Sequence, residues 1–187
     1  EYFAQRGYEL DFSLDGQSGF VPYFYQAVLS GAIGEEAISA LLLEQGIRFE
    51  DMPDALFEIA DLKIMARPWY IDCKNYSDAT LERFSLTSED EGFYHKLSGE
   101  YFRRRAIEKW NQLAEVEGDH SCLIYVNLAT SQDRLLQYFR CEGDYLQPVA
   151  HFSEAQIIVV QGALNTLNPD EFHEAFVRFL HDLKVNL

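Results

Sequence analysis

The spacing of apolar residues along the chain changes period several times, and each change marks an element. Over residues 34–46, Ile38, Leu41 and Leu42 fall on one face of a helix, and Gly46 is a stop signal. Two extended stretches follow, 55–64 and Trp69–Lys74, joined through Arg67-Pro68 as a turn. The segment 77–92 is polar and acidic, ends in Ser88-Glu89-Asp90-Glu91-Gly92, and reads as a loop. A long helix is predicted over 94–117, with Phe102, Ala106, Trp110, Leu113 and Ala114 as its apolar stripe. The runs 122–128 and 156–161 have the length and apolar continuity of buried strands, whereas 135–141 fits either a short strand or a helical turn.

The two ends read differently. Near the C-terminus, Asn168 suits a helix cap, Pro169 the first turn, and Asp170 and Glu171 the positive helix end. Phe172, Phe176, Phe179, Leu180 and Leu183 then supply a buried face. Residues 1–29 instead hold eight aromatics with no clean period, punctuated by Gly7, Gly16, Gly19 and Pro22. Disordered tails lack aromatics, so this segment is expected to be an irregular arm packed on the domain, or else a docking surface for another chain. The order of elements contains no repeat and no linker. It predicts one α/β or α+β domain, with an arm over 1–30, a core over 31–165 and a C-terminal helix over 166–187 packed on that core.

Composition agrees with a folded chain: 187 residues, 48% hydrophobic and 25% charged. A chain of this length buries roughly 70% of its unfolded surface, so it needs no disulfide or metal staple. Eleven Gly, five Pro and three Cys exclude collagen-like, low-complexity and disulfide-scaffold classes. Cys73, Cys122 and Cys141, odd in number and set in apolar text, read as reduced thiols of a cytoplasmic protein. Apolar runs such as Ala40-Leu41-Leu42-Leu43 fall far short of the ~20 residues that span a bilayer. No secretory signal opens the chain, so no membrane partner is expected. A start at Glu1 in place of Met is the expected mark of a fragment or a processed product.

Charge narrows the partners. Fifteen Lys and Arg stand against 31 Asp and Glu, a net charge of −16. Such a protein repels polyanions at long range and lacks a general basic footprint for nucleic acid. A nucleic-acid role must therefore rest on a local site, on metal ions, or on a partner.

Several site types are missing: no Gly-rich phosphate loop, C-x-x-C, H-E-x-x-H or G-x-S-x-G occurs, and the five histidines show no ligand spacing. What remains is acid-x-Lys. Of five lysines, three lie two residues after an aspartate: Asp61-Leu62-Lys63, Asp72-Cys73-Lys74 and Asp182-Leu183-Lys184. Chance alone supplies about one such pair, so context has to discriminate. On the terminal helix the spacing splays Asp182 and Lys184 to different faces, a solvated surface feature. On a strand it puts Asp72 and Lys74 on one face roughly 7 Å apart, with Trp69, Ile71 and Cys73 on the other. Asp61, on the preceding stretch, comes beside Asp72 if the two pair as a hairpin. Two carboxylates with backbone and water oxygens are what Mg²⁺ accepts, and the Cys73 carbonyl lies between acid and lysine in sequence. On the first helix, Glu35 falls about 60° from Ile38 and Glu36 about 160°, so Glu35 faces the sheet side and Glu36 faces water.

Taken in order, Gly34-Glu35, Asp61 and Asp72-Cys73-Lys74 resemble the PD-(D/E)XK nuclease superfamily. The resemblance covers 31–76 closely and the element order out to about 161 loosely. It implies a restriction-endonuclease-like α/β core, a mixed central sheet flanked by helices, within 31–165. It also implies that Glu35, Asp61 and Asp72, with the Cys73 carbonyl, hold Mg²⁺ or Mn²⁺, and that Lys74 is the catalytic lysine. Ala60 precedes Asp61 where the family's namesake has proline, a departure common within it. A competing register pairs Asp51 or Glu50 with Asp61-Leu62-Lys63, and leaves the acid on the strand after Pro68 without a role.

The function expected is metal-dependent hydrolysis of phosphodiester bonds, in DNA, within a larger assembly where a protein partner or further domain supplies affinity. Arg103-Arg104-Arg105, with Lys96 and Lys109 nearby, is the one dense basic feature. Arg105 and Lys109 lie one turn apart, placed to contact backbone phosphates or to pair with Glu100, Glu108 or the acidic loop 89–91. Two rival readings stand beside this: a non-catalytic acidic protein-interaction module on a nuclease-like fold, and an acidic mimic of nucleic acid.

Overall fold

A computed structural model of the chain describes residues 20–52, 56, 58–74, 99–127, 135–161 and 174–187. Among these, helix α1 spans Phe20–Glu44, followed by strands β1 (Phe49–Asp51), β2 (Leu62–Ile64) and β3 (Trp69–Lys74). Helix α2 (Gly99–Glu117) leads into β4 (Cys122–Asn127), β5 (Leu135–Glu142) and β6 (Tyr145–Val149). A 3₁₀ turn at Phe152–Glu154, strand β7 (Ile157–Gln161) and helix α3 (Glu174–Asn186) complete the order.

The strands form one seven-stranded mixed sheet in the order β1-β2-β3-β4-β7-β5-β6. β1, β2 and β3 pair antiparallel. β3, β4 and β7 run parallel, and β7, β5 and β6 are again antiparallel. Parallel neighbours need a crossover, and α2 lies in the connection between β3 and β4. The three parallel strands are almost wholly buried, which explains their unbroken apolar text: both faces are covered, so no polar alternation is required. Alternate residues feed two cores. Ile71, Ile124, Val126, Ile158 and Val160 pack with Ile38 and Leu42 of α1 and with Phe179 and Leu183 of α3. Tyr70, Leu123, Tyr125, Ile157 and Val159 pack with Phe102, Ala106, Trp110 and Leu113 of α2. Burying each large side chain of this kind contributes about 1.5–3 kcal/mol. The fold is thus α/β, with helices on both faces of a mixed sheet.

Several boundaries differ from the sequence expectations, each for a physical reason. Helix α1 begins at Phe20, so residues 20–30 of the expected irregular arm are helical. The text over 20–33 is apolar around the whole helical wheel, apart from Gln26 and Ser30, and this erases the 3.6-residue period. Pro22 falls in the first turn, where its missing N–H removes no helical bond. The other end is as expected. Gly46 takes φ +71°, its N–H bonds the Leu43 carbonyl, and the Ile47 N–H bonds Leu42 at 2.9 Å, so the helix closes in a Schellman turn with Ile47 and Leu42 both buried.

Among the described residues of the stretch 55–64, Leu62–Ile64 is strand, and a turn closed by Ile59 N–H on the Leu56 carbonyl precedes it. The ambiguous 135–141 is strand. Strands β1 and β6 were not anticipated. They are short, largely exposed edge strands, one reading Phe-Glu-Asp and the other carrying Pro148. A two-residue turn joins β5 to β6 with Gly143 at φ +60°. The arm over 1–19, the loop 77–92, residues 94–98 of the long helix, the cap at 168–171 and Phe172 lie outside the described residues.

Candidate active site

The parity of β3 puts Tyr70, Asp72 and Lys74 on the face covered by α2, and Trp69, Ile71 and Cys73 on the face covered by α1. Asp72 is only 2% exposed, and a buried carboxylate needs partners for its charge. It has two. The Lys74 ammonium pairs with Oδ1, and the Lys109 ammonium, reaching down from α2, lies 2.8 Å from Oδ2. Lys109 also donates to the Ile59 carbonyl at 3.0 Å.

Asp61 sits where the chain enters β2. Its backbone N–H donates to the Ile71 carbonyl at 2.8 Å, and its carbonyl accepts from Met52 N–H at 3.3 Å. Beyond that point β2 no longer offers β3 a backbone acceptor, and the Asp61 side chain replaces one: Oδ2 accepts the Cys73 N–H at 2.6 Å. Within an extended strand, a residue's N–H and carbonyl point toward the same neighbour, so the Cys73 carbonyl faces the Asp61 side of β3.

Asp61 titrates at about 6, raised from 3.8 by burial first and then by the neighbouring charge of Asp72. The Cys73 N–H and Lys74 oppose that rise, and Glu35 adds to it. The Glu35 charge is thus felt at Asp61 from α1, where Glu35 is half-buried and Glu36 exposed. Burial pushes the Cys73 thiol far up, with Asp61, Asp72 and Glu35 adding to the effect, so its sulfur stays protonated and inert. Asp61, Asp72, Cys73 and Lys74 thus lie together at the C-terminal end of β3, and Glu35 acts on them from α1 through its charge. Among the described residues, no three His, Cys, Asp or Glu side chains come together as a group able to hold a metal ion.

Of the two cations expected on phosphate, Arg105 is half-exposed and pairs with Glu108 at 2.7 Å. Lys109 instead turns inward, with its side chain 18% exposed. Its helical phase carries the signal for this: Lys109 lies about 60° from Ala106, at the edge of the apolar stripe, and Arg105 about 100° away. The competing register places Lys63 opposite Glu50, where it bonds Glu117 at 3.1 Å and sits 5.5 Å from the centre of the Tyr70 ring. The helical pair is split as expected, with Lys184 on Gln45. Asp182, however, is no solvated acid, because Tyr138 donates to it at 2.6 Å.

Neither family models nor curated proteins yield a match to this chain.

Proposed function

We propose that the chain is a metal-dependent nuclease with a restriction-endonuclease-like core, hydrolysing phosphodiester bonds of DNA within a larger assembly. One observation carries the reading. The acid of one strand entry (Asp61) is bonded to the backbone of the residue between acid and lysine on the next strand (Asp72-Cys73-Lys74). The order α1-β1-β2-β3-α2-β4, two antiparallel pairings and then a parallel crossover, supports the same reading.

The donor set suits Mg²⁺ or Mn²⁺ in its chemistry, since Asp61, Asp72, Glu35 and the Cys73 carbonyl offer hard oxygens. Burial first, and then the charges of Asp72 and Glu35, make ionisation of Asp61 unfavourable, a cost that a nearby cation would relieve. When bound, the ion supplies Lewis-acid polarisation of the phosphate and neutralises developing charge.

The remaining work falls to the chain. The Cys73 N–H fixes the orientation of Asp61. Lys74, 24% exposed at the strand end, donates from its ammonium to a phosphate oxygen or to the attacking water. Arg105, on the outer face of α2, contributes contact to backbone phosphate and little sequence information.

The test is cleavage of labelled DNA in Mg²⁺ or Mn²⁺ by the chain with its partner. Loss of cleavage in Asp72→Asn supports the reading, and undiminished cleavage overturns it. The non-catalytic acidic module has its own supporting observation, since lysine ammonium groups engage both Asp72 oxygens. It predicts Mn²⁺ binding by calorimetry no tighter than in an Asp61→Asn, Asp72→Asn double variant.

A further inference from the structure

We infer that Lys109 is the internal counter-ion of this site: its ammonium holds Asp72 in the cation-free protein, competes with the divalent cation for that carboxylate, and so sets cation affinity. The inference rests on the metal-dependent reading above. It starts from the position of one nitrogen. Lys109 Nζ lies 2.8 Å from Asp72 Oδ2 and 3.0 Å from the carbonyl of Ile59, two residues before Asp61. A positive charge is therefore already lodged between the acid of β3 and the segment that delivers the second acid, on residues 37 and 50 positions away in sequence.

Burial makes the competition strong. Asp72 is 2% exposed, so water contributes little to balancing its charge, and whatever cation is present interacts with it in a low-dielectric setting. Lys74 engages the other oxygen from the strand end, so a divalent ion that claims Oδ2 meets Lys109 directly. Lys109 keeps an acceptor if it yields, because the Ile59 carbonyl is bonded to the same ammonium. On its sheet side the ammonium meets β4, where the Tyr125 ring centre lies 6.0 Å from Nζ. Lys109 is thus a positioning residue that acts through Asp72.

The experiment is Mn²⁺ titration by calorimetry, without nucleic acid, of the full chain and of Lys109→Met and Lys109→Arg. The inference expects about tenfold tighter binding in Lys109→Met, the scale of one lost competing charge, and affinity near wild type in Lys109→Arg, which restores that charge. A merely structural lysine gives weaker or unchanged binding in Lys109→Met, and that result overturns the inference. If Lys109→Met does not fold, Mg²⁺ titration of the wild-type chain followed by lysine ammonium NMR decides the question. Lost protection of the Lys109 ammonium at saturation supports the inference, and an unchanged signal overturns it. Binding that Asp61→Asn abolishes but Lys109→Met leaves unchanged sinks only the counter-ion role. Absence of Mn²⁺ binding in every variant sinks that role and the metal-dependent reading together.

Discussion

Asp61 and Cys73 are joined by a side chain acting as backbone: the carboxylate accepts the Cys73 N–H at 2.6 Å where the β2–β3 ladder ends. The bond satisfies a strand donor that would otherwise be unpaired at the edge of a buried site. It also holds one carboxylate beside another, Asp72, whose charge raises the Asp61 pKa. The bond itself favours the ionised carboxylate, while burial first and then the Asp72 charge oppose it.

That tension predicts a pH-dependent gain for Asp61→Asn in the absence of divalent ions. The Asp61 pKa is raised from 3.8 to about 6 on folding, so the unfolded chain ionises first. Wild-type stability therefore falls as pH rises from about 4 to about 6 and stays lowered above. Asparagine keeps the acceptor for Cys73 and loses the charge. Urea unfolding in EDTA should find the variant more stable by roughly 1–3 kcal/mol at pH 8 and no more stable at pH 3.5. A variant less stable than wild type at pH 8 would count against the burial of charge described for Asp61.

The three acid-x-lysine pairs should separate in one cleavage assay. Lys74→Ala abolishes Mg²⁺-dependent cleavage with the fold retained, and Asp72→Asn abolishes cleavage and weakens metal binding. Lys184 bonds Gln45 at 3.4 Å, away from the end of β3, and Lys184→Ala leaves cleavage unchanged. Lys63→Ala has at most a partial effect, and loses about 1 kcal/mol or less of stability with its partly exposed Glu117 pair. Full activity in Lys74→Ala, or lost activity in Lys63→Ala alone, overturns the register.

Nucleic-acid binding by this chain alone should be weak, because few cations face a net charge of −16, with a salt slope set by the small number of phosphates those cations contact. Arg105→Ala should lower the slope of log affinity against log salt by about one. Tight binding that ignores salt would contradict an affinity supplied by a partner.

Gly46 offers a test of the fold apart from the site. It takes φ +71° and a Cβ there would meet nothing within 4 Å, so the cost of Gly46→Ala is purely the left-handed backbone. Chemical denaturation should find a loss of about 1 kcal/mol. A neutral substitution would argue against the Schellman turn.

The sequence made some of this legible and hid the rest for definite reasons. Strand parity placed Asp72 and Lys74 on one face, and helix phase put Glu35 inward and Glu36 outward, because periodicity reports directly on faces. Periodicity is silent where text is uniformly apolar, as over 20–33, and where a strand is too short and charged to show it, as in Phe49–Asp51. The helical phase of Lys109 signals its inward turn but not its partner, which only its proximity to a buried acid 37 positions earlier reveals. The Ile59 carbonyl has no side-chain signature at all.

The most direct measurement of the central claim is the anomalous scattering of crystals of this chain soaked in Mn²⁺. The account predicts one ion bonded to oxygens of both Asp61 and Asp72, with the Cys73 carbonyl in its coordination shell. Mn²⁺ bound instead beside Glu50 and Lys63, or no ion at the end of β3 at saturating concentration, would contradict it.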